Sequence, residues 1–372
     1  MTMPIYLDYQ ATTPLAPEAR AAMLPWLGEA FGNPHSAHRM GRAARAAVEA
    51  ARDAVHAALA LPGGRLLFTG GATEAINTAL KGAAATAAPG RRRIVTVATE
   101  HAAVLDSVAW LGGQGFEPVL LGVDAAGLVS LDAARQAIDE RTAIVAVMLV
   151  NNEIGVLQPV AALAELARAA GALFLCDAVQ GFGRVPVPAA DMVAVSAHKV
   201  HGPKGIGALW IADGVEIAPL IHGGGQEYGL RSGTLAPALC AGFGAAAGLL
   251  RAHAAHDHAH VAELWALARA ALPGWTLNGD AARRYHGNLN IRRDGVDSAR
   301  LISAVRDVAF SAGSACASGS GRPSHVLRAL GLDDRQARAS IRLGFGRYTS
   351  PEELARALAL IDAAATAQRV AA

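Results

Sequence analysis

The chain carries three lysines, Lys81, Lys199 and Lys204, and arginine supplies the other 30 of its 33 basic residues. Of the two side chains only lysine sheds its proton when desolvated and condenses with a carbonyl compound, so candidates for an amine nucleophile are few. The apolar run 192–195 delivers Lys199, through Ser196-Ala197-His198, into a turn rich in Gly and Pro that ends at Lys204-Gly205. Alone, such a lysine reads as a solvated loop residue. Other polar residues occupy matching places. Asp177 and Gln180 follow the apolar run 172–176, His101 follows 94–98, and Asn152 follows 143–150. Gly70-Gly71-Ala72-Thr73-Glu74 joins a strand-like run to a helical pattern. That arrangement leaves free backbone N–H groups that bind an anion. The stretch lacks the Gly-Lys-Ser/Thr ending of a P-loop and the dinucleotide G-x-G-x-x-G spacing.

The elements that must position these residues alternate. Helical patterns are expected at 17–27, 39–60 and 74–87, with a strand at 66–69 between the last two. Strands follow at 94–98, 119–121, 143–150, 172–176, 192–195 and 207–211, with helices to 111 and at 131–138 and 160–170 between them. Residues 8–14 read as a short polar opening segment. The alternation predicts an α/β fold: a mostly parallel sheet, of seven-stranded type, flanked by helices on both faces. In such sheets the ligand lies beyond the carboxyl ends of the strands. The polar residues above gather at those ends. Residues 235–270 read as helical and broken. Beyond them come a strand at 288–291, a helix at 298–308, a loop at 311–321, a helix at 323–330, a strand at 340–343 and a last helix at 351–364. The expected division is a large α/β unit over 15–255 and a small α+β unit made of 1–14 and 256–372.

Composition narrows the function. With 52% hydrophobic and 17% charged residues in a chain of 372, the protein is globular and holds a large core. A formal charge of +2, dispersed along the chain, gives no case for direct nucleic-acid binding or a membrane surface. No apolar run reaches the length of a membrane span. The first eight residues lack the basic-then-apolar pattern of a leader, so a cytoplasmic location is expected. The three cysteines, Cys176, Cys240 and Cys316, show neither paired nor zinc-finger spacing, which fits a reducing compartment. No resident metal is expected: the histidines at 253, 256, 258 and 260 read as a solvated helix face. Cys176 sits in an apolar strand and Cys240 at a helix start, both structural settings. Cys316 instead sits among small residues in a loop.

A lysine, an aspartate beyond one strand, a histidine beyond another and an anion-binding helix start are the parts of a pyridoxal 5'-phosphate site. The chain resembles the class V aminotransferase family, and within it the cysteine desulfurases of the NifS/IscS type, along nearly its whole length. The stretches that carry the resemblance are Tyr6-Leu7-Asp8-Tyr9-Gln10-Ala11-Thr12-Thr13-Pro14, Gly71-Ala72-Thr73-Glu74, Thr99-Glu100-His101, Asn151-Asn152-Glu153-Ile154-Gly155, Asp177-Ala178-Val179-Gln180, Ser196-Ala197-His198-Lys199, Arg231-Ser232-Gly233-Thr234, Gly313-Ser314-Ala315-Cys316 and Ser340-Ile341-Arg342.

The resemblance implies the fold type I architecture of pyridoxal-phosphate enzymes, as a homodimer, and a role for each matching residue. Lys199 is implied as the Schiff-base lysine and proton shuttle. His101 stacks on the cofactor ring, Asp177 pairs with the ring nitrogen and Gln180 with the phenolic oxygen. Ala72, Thr73, Ser196 and His198 hold the phosphate, with Thr234 reaching in from a second subunit. Asn152 and Arg342 grip the carboxylate of the substrate, L-cysteine. Cys316 takes the sulfur as a persulfide, leaving L-alanine, and passes it to an acceptor scaffold or carrier protein for iron–sulfur cluster assembly or tRNA thiolation. A transient contact of Cys316 with such a cluster is the only metal contact implied. Selenocysteine lyase and plain aminotransferase are the alternatives within the family, and a non-catalytic scaffold is the alternative outside it. Three departures stand out. Ser-Ala-His-Lys replaces the family's usual Ser-Gly-His-Lys, Gln10 stands where a smaller residue is common, and the chain ends at Ala372 where relatives carry a longer, scaffold-contacting tail. Lys204 is expected to be a surface residue of its turn.

Overall fold

A computed structural model describes residues 3–313 and 324–370. The chain opens with a two-residue strand, β1 (Ile5–Tyr6), and two helices, α1 (Pro17–Leu27) and α2 (Arg39–Leu59). Seven strands then build one sheet: β2 (Arg65–Thr69), β3 (Arg93–Val97), β4 (Glu117–Leu121), β5 (Thr142–Met148), β6 (Leu173–Asp177), β7 (Met192–Ser196) and β8 (Gly207–Ile211). Their order across the sheet is β2-β8-β7-β6-β5-β3-β4. Neighbours from β7 to β4 run parallel, and β8 runs antiparallel to both β7 and β2.

Helices α3 (Ala72–Ala85), α4 (Ala102–Gly112), α5 (Leu131–Ala137) and α6 (Val160–Ala169) make the crossovers. Their placement follows from side-chain alternation. Val145 and Val147 of β5, with Val193 and Val195 of β7, face a core shared with α2 and α6. Ile144 and Ala146, with Met192 and Ala194, face the opposite core, shared with α3 and α4. A period of two that is apolar on both faces is the signature of a strand buried on both sides. The mostly parallel, helix-flanked sheet is the architecture expected above.

Helices α7 (Pro237–Ala252) and α8 (Ala254–Ala271) are bent by 76° at His253, which is the break in the long helical stretch. α7 packs on α1 and α2. A second, antiparallel sheet follows, from β9 (Thr276–Leu277), β10 (Asn288–Arg292), β12 (Ser311–Ala312) and β13 (Ser340–Gly344), in the order β12-β13-β10-β9. Leu264 and Ala268 of α8, and Leu354, Leu358 and Ile361 of the last helix (Pro351–Val370), cover one face of it. Among the described residues no single helix is long and apolar enough to cross a membrane.

One expectation fails locally. The helix expected over 298–308 stops at Ala304, and Val308–Ala309 forms β11, which pairs in parallel with β1. The strand that precedes the opening segment is thereby joined to the far end of the chain. The pairing joins positions about 300 residues apart and is two residues long, so no local periodicity announces it.

β2 lies at an edge of the large sheet, where unpaired backbone groups invite another strand. Here a side-chain ion pair takes that place. Arg52 of α2 donates to the Leu66 carbonyl at 2.5 Å, and Glu227 accepts from the Phe68 amide at 2.5 Å. The two side chains meet through two bonds of 2.7 and 2.8 Å, both buried. Glu227 adopts φ +48 and Tyr228 φ +59, left-handed values that cost side-chain-bearing residues energy and persist only where neighbours impose them. Replacing Glu227 with alanine removes the buried partner of the Arg52 guanidinium and leaves only the exposed Glu49, 3.0 Å from its Nε. The expected loss is about 3–5 kcal/mol in chemical denaturation. The double variant R52M/E227L should lose less than E227A alone; an equal or greater loss would show that the unpaired charge is not the cause.

Candidate active site

β2, β3, β5, β6 and β7 all end at the same edge of the sheet, and the segments that follow them surround a cavity of about 690 Å³. That volume suits a cofactor with a small substrate. The cavity wall contains Ala72 and Thr73 after β2, His101 after β3 and Asn152 after β5. Asp177 and Gln180 close it at β6, and Ser196, His198 and Lys199 at β7. Arg342 reaches it from β13 of the second sheet. Ten of the twelve residues singled out in the sequence thus share one space. Thr234 is exposed and does not line this cavity. Cys316 lies outside the described residues. Lys204 is exposed, as expected, yet it also lines the cavity.

At one end, α3 begins at Ala72 with no side-chain cap, so its first N–H groups face the space. Glu74 stays out of their way. It accepts from the Gly70 amide at 2.8 Å and pairs with Arg231 at 2.7 Å, which fixes the loop just before the helix. Gly207 makes room beneath: a Cβ there would stand 2.7 Å from the Gly71 carbonyl carbon and 2.9 Å from the Ala72 nitrogen. At the other end Asp177 is buried, and its Oδ1 accepts from the Val179 amide at 3.0 Å. Burial raises its carboxyl pKa, while the Val179 amide, His101 and Lys199 pull it back.

Between the two ends sits Lys199. Its Nζ donates to the carbonyls of Gln10 (2.5 Å) and Ala11 (2.8 Å), so the opening segment holds the amine through backbone oxygen. His101 caps α4, its Nδ1 accepting from the Ala103 amide at 3.1 Å. A ring nitrogen that accepts carries no proton, so the neutral imidazole bears its hydrogen on Nε2. His198 meets the Thr12 hydroxyl at 3.2 Å and is pushed down to about 4 by burial, then by Lys199 and Lys204. A base that weak stays neutral and can donate to an anion without competing for its proton. Gln180 donates its amide hydrogen to the Gln10 carbonyl at 2.9 Å, and its Oε1 accepts from Arg184 at 2.6 Å.

Arg342 is 1% exposed. It donates to Asp8 Oδ1 at 2.7 Å and to the Asn152 carbonyl at 3.0 Å, while its Nε has no hydrogen-bond partner. An orphaned guanidinium donor at a cavity wall suits a carboxylate ligand. The donor set as a whole fits pyridoxal 5'-phosphate: an anion-binding helix start, an amine, and a buried carboxylate at the far end.

Sequence reasoning passed over four contributors. The Gln10 and Ala11 carbonyls are main chain and leave no residue-type signal. Glu74 and Arg231 were quoted within motifs, but their pairing spans 157 positions. Glu100 is buried, accepts from the Met148 amide at 2.9 Å through Oε1, and leaves Oε2 without a partner. Burial raises its pKa well above the ordinary value, the Met148 amide opposes that, and Asp177 adds to the rise. Arg184 is the fourth. The structural setting of two cysteines is as expected: Cys176 and Cys240 are fully buried, and burial raises both thiols, Cys240 to about 12. Neither provides a thiolate near neutral pH.

Comparison with known proteins agrees with this geometry. The family model for class-V aminotransferases matches residues 5–357. Two proteins named cysteine desulfurase IscS, from Rickettsia bellii and Rickettsia akari, are 43% and 42% identical over 97% of this chain and 91% of their own length. A solved NifS-like protein superposes with a TM-score of 0.91 at 33% identity, covering 97% of this chain and 99% of its own. A structure titled SspA in complex with cysteine superposes at 0.82 with 32% identity, covering 93% and 99%.

His201, just past the lysine turn, gives the site a pH-dependent foundation. It is buried at φ +65, and its Nδ1 donates to the Pro14 carbonyl at 3.0 Å. Burial pushes it from 6.5 down to about 4; the Pro14 carbonyl opposes that, and Arg347 and Arg184 add to it. Between those values the unfolded chain binds a proton that the folded chain refuses, so this contribution to stability falls as pH drops from about 6.5 towards 4. Asparagine tolerates the left-handed backbone. The H201N variant should lose less stability than the parent between pH 7 and pH 4.5, by on the order of 2 kcal/mol in urea titrations. Parallel curves for the two proteins would remove His201 as the cause.

Proposed function

The chain belongs to the class-V aminotransferase family, and within it we propose a pyridoxal-phosphate-dependent cysteine desulfurase, which takes sulfur from L-cysteine and releases L-alanine. The observation that carries this is the convergence of Lys199, Asp177, His101 and the uncapped start of α3 on one cavity. The desulfurase name of the relatives favours that reading over a selenocysteine lyase or another aminotransferase.

Held at Lys199, the cofactor supplies an electron sink for bonds broken at the substrate Cα. The protein's own groups do the rest. The first N–H groups of α3, with Thr73, Ser196 and the neutral His198, bind the phosphate. Asp177 faces the ring nitrogen and holds a proton there. His101 covers the ring and assists proton transfer, and Gln180 donates to the phenolic oxygen. Arg342 and Asn152 seat the substrate carboxylate, which fixes the Cα–H bond near Lys199. Lys199, released from the Gln10 and Ala11 carbonyls, takes the Cα proton and returns it to Cα only after the Cβ–S bond has broken. The Cys316 thiolate then bonds to the substrate sulfur as the Cβ–S bond breaks. Cβ keeps the electron pair and gains a proton, giving alanine and a persulfide on Cys316.

The working form in this proposal is a homodimer, with Thr234 of each chain reaching the phosphate site of the other. The exposure of Thr234 supports this. The persulfide passes to a scaffold or carrier protein, in iron–sulfur cluster assembly or tRNA thiolation, in the cytoplasm. Cys316 alone meets an assembling cluster, transiently. The structural units are 15–255 and, together, 1–14 with 256–372. The pairing of β1 with β11, and the packing of Leu7 against Leu343 and Phe345, support the second grouping.

The test is the C316A variant loaded with cofactor. It should keep the visible band of the bound cofactor and lose sulfide release from L-cysteine. K199A should lose the lysine-linked band and about 10²–10⁴-fold in rate. Wild-type desulfuration by C316A would sink the persulfide step, and a colourless wild-type protein after cofactor addition would sink the enzyme itself.

A further inference from the structure

Arg184 lies behind the cavity wall. Gly183 before it takes φ +70, a left-handed turn that a side chain would clash in, since a Cβ there would stand 2.5 Å from the Leu250 side chain. The turn sends the Arg184 guanidinium inward. Its Nη1 donates to Gln180 Oε1 at 2.6 Å and to the Gln180 carbonyl at 3.2 Å, and its Nη2 donates to the Lys199 carbonyl at 2.6 Å. The guanidinium stacks over the Tyr285 ring at 5.1 Å. Its other side borders a small second cavity with His201, Asp257, His258, Tyr285 and Arg347. Asp257 is committed to Arg347 at 2.5 Å. No carboxylate among the described residues hydrogen-bonds Arg184. A cation in this position, bonded to three oxygens and to no counter-charge, is not explained by ion pairing.

Its chemistry explains it better. A guanidinium has five donors and no acceptor, so it can bond only the oxygen of the Gln180 amide. That fixes which end of the amide points the other way. The NH₂ group must face the cavity, where it now rests on the Gln10 carbonyl, the same oxygen that holds Lys199 Nζ. Without Arg184 only the Gln10 carbonyl orients the amide, and that oxygen is shared with Lys199 Nζ. We infer that Arg184 is a positioning residue, which locks Gln180 with its donor end towards the cofactor and ties down the main chain of Lys199. This rests on the cofactor reading given above.

The bound cofactor's visible band reports the result, because its pH transition follows the proton shared between the phenolic oxygen and the lysine nitrogen. A donor held on that oxygen favours the deprotonated form. Losing it should raise the transition midpoint by about 0.5–1 pH unit, the size of one hydrogen bond. R184M also removes a nearby positive charge, which shifts the midpoint the same way, so the measurement needs a cycle. R184M is made in the wild type and in Q180L, where no donor exists to be oriented. The expected result is a larger upward shift in the first background than in the second, where the loss of charge alone remains. An unshifted band in R184M, or equal shifts in both backgrounds, overturns the inference. R184K keeps the charge but lacks the planar fork, so it runs the same cycle if R184M does not fold, with the same outcomes deciding. A wild-type protein with no visible band would instead overturn the cofactor reading, and this inference with it.

Discussion

Parallel strands that end together leave backbone groups with no partner, and the active edge of this sheet is organised by that need. The pairing of β3 with β5 ends at Thr96 and Ala146, so on that side the Met148 amide has no strand partner and bonds Glu100 instead. Asn151 donates to the Thr99 carbonyl and accepts from the amides of Glu153 and Ile154, which closes the turn that presents Asn152. Asp177 and His101 each bond the amide two residues on, the first closing the end of β6 and the second capping α4. Glu100 and Asn151 stand outside the cavity wall, whereas Asp177 and His101 both satisfy such groups and line the cavity. Each of these two is therefore held on one side by backbone, which leaves its other side aimed at a ligand with little freedom to lose on binding.

Residues 8–13 are the second constraint. They lie between the two sheets and bond to both. The Tyr9 amide donates to the Gly344 carbonyl, and the Gln10 side chain donates to the Gly287 carbonyl, on the second-sheet side. On the other side Thr13 bonds the His198 carbonyl and the His201 amide. The lysine that carries the chemistry therefore rests on main-chain oxygens whose position depends on the second sheet. Gln10 serves both sides at once, its side-chain amide bonding Gly287 while its carbonyl accepts from Lys199.

How far the sequence reveals this depends on where a signal is stored. Strands β5 and β7 are legible because apolar residues on both faces give continuous runs, and Lys199 is legible because lysine is so scarce here. Asp177, His101 and Asn152 are legible as polar residues placed just past such runs. The pairing of β1 with β11, the Arg52–Glu227 bridge and the grip of Arg184 on Gln180 are not. The first two join distant segments. The third has short spacing, but the turn around Gly183, and not a helix, brings the two side chains together. Main-chain acceptors such as the Gln10 carbonyl are outside residue-type reasoning altogether. The helix expected to 308 shows the same limit: its last residues are apolar enough to continue, and tertiary pairing claimed them first.

The edge cap of β2 also has a timetable. Phe68 and Glu227 are 159 residues apart, so on a ribosome adding about 5–20 residues per second the strand is made roughly 8–30 seconds before its cap. The neighbouring strand β8 is made only shortly before the cap, so for most of that interval β2 lacks partners on both sides. The nascent chain thus exposes an apolar strand in a crowded compartment until its glycine-rich loop arrives. Vectorial synthesis makes this the stretch where a holding chaperone has most to protect, and where a pause in translation between the two would be most damaging.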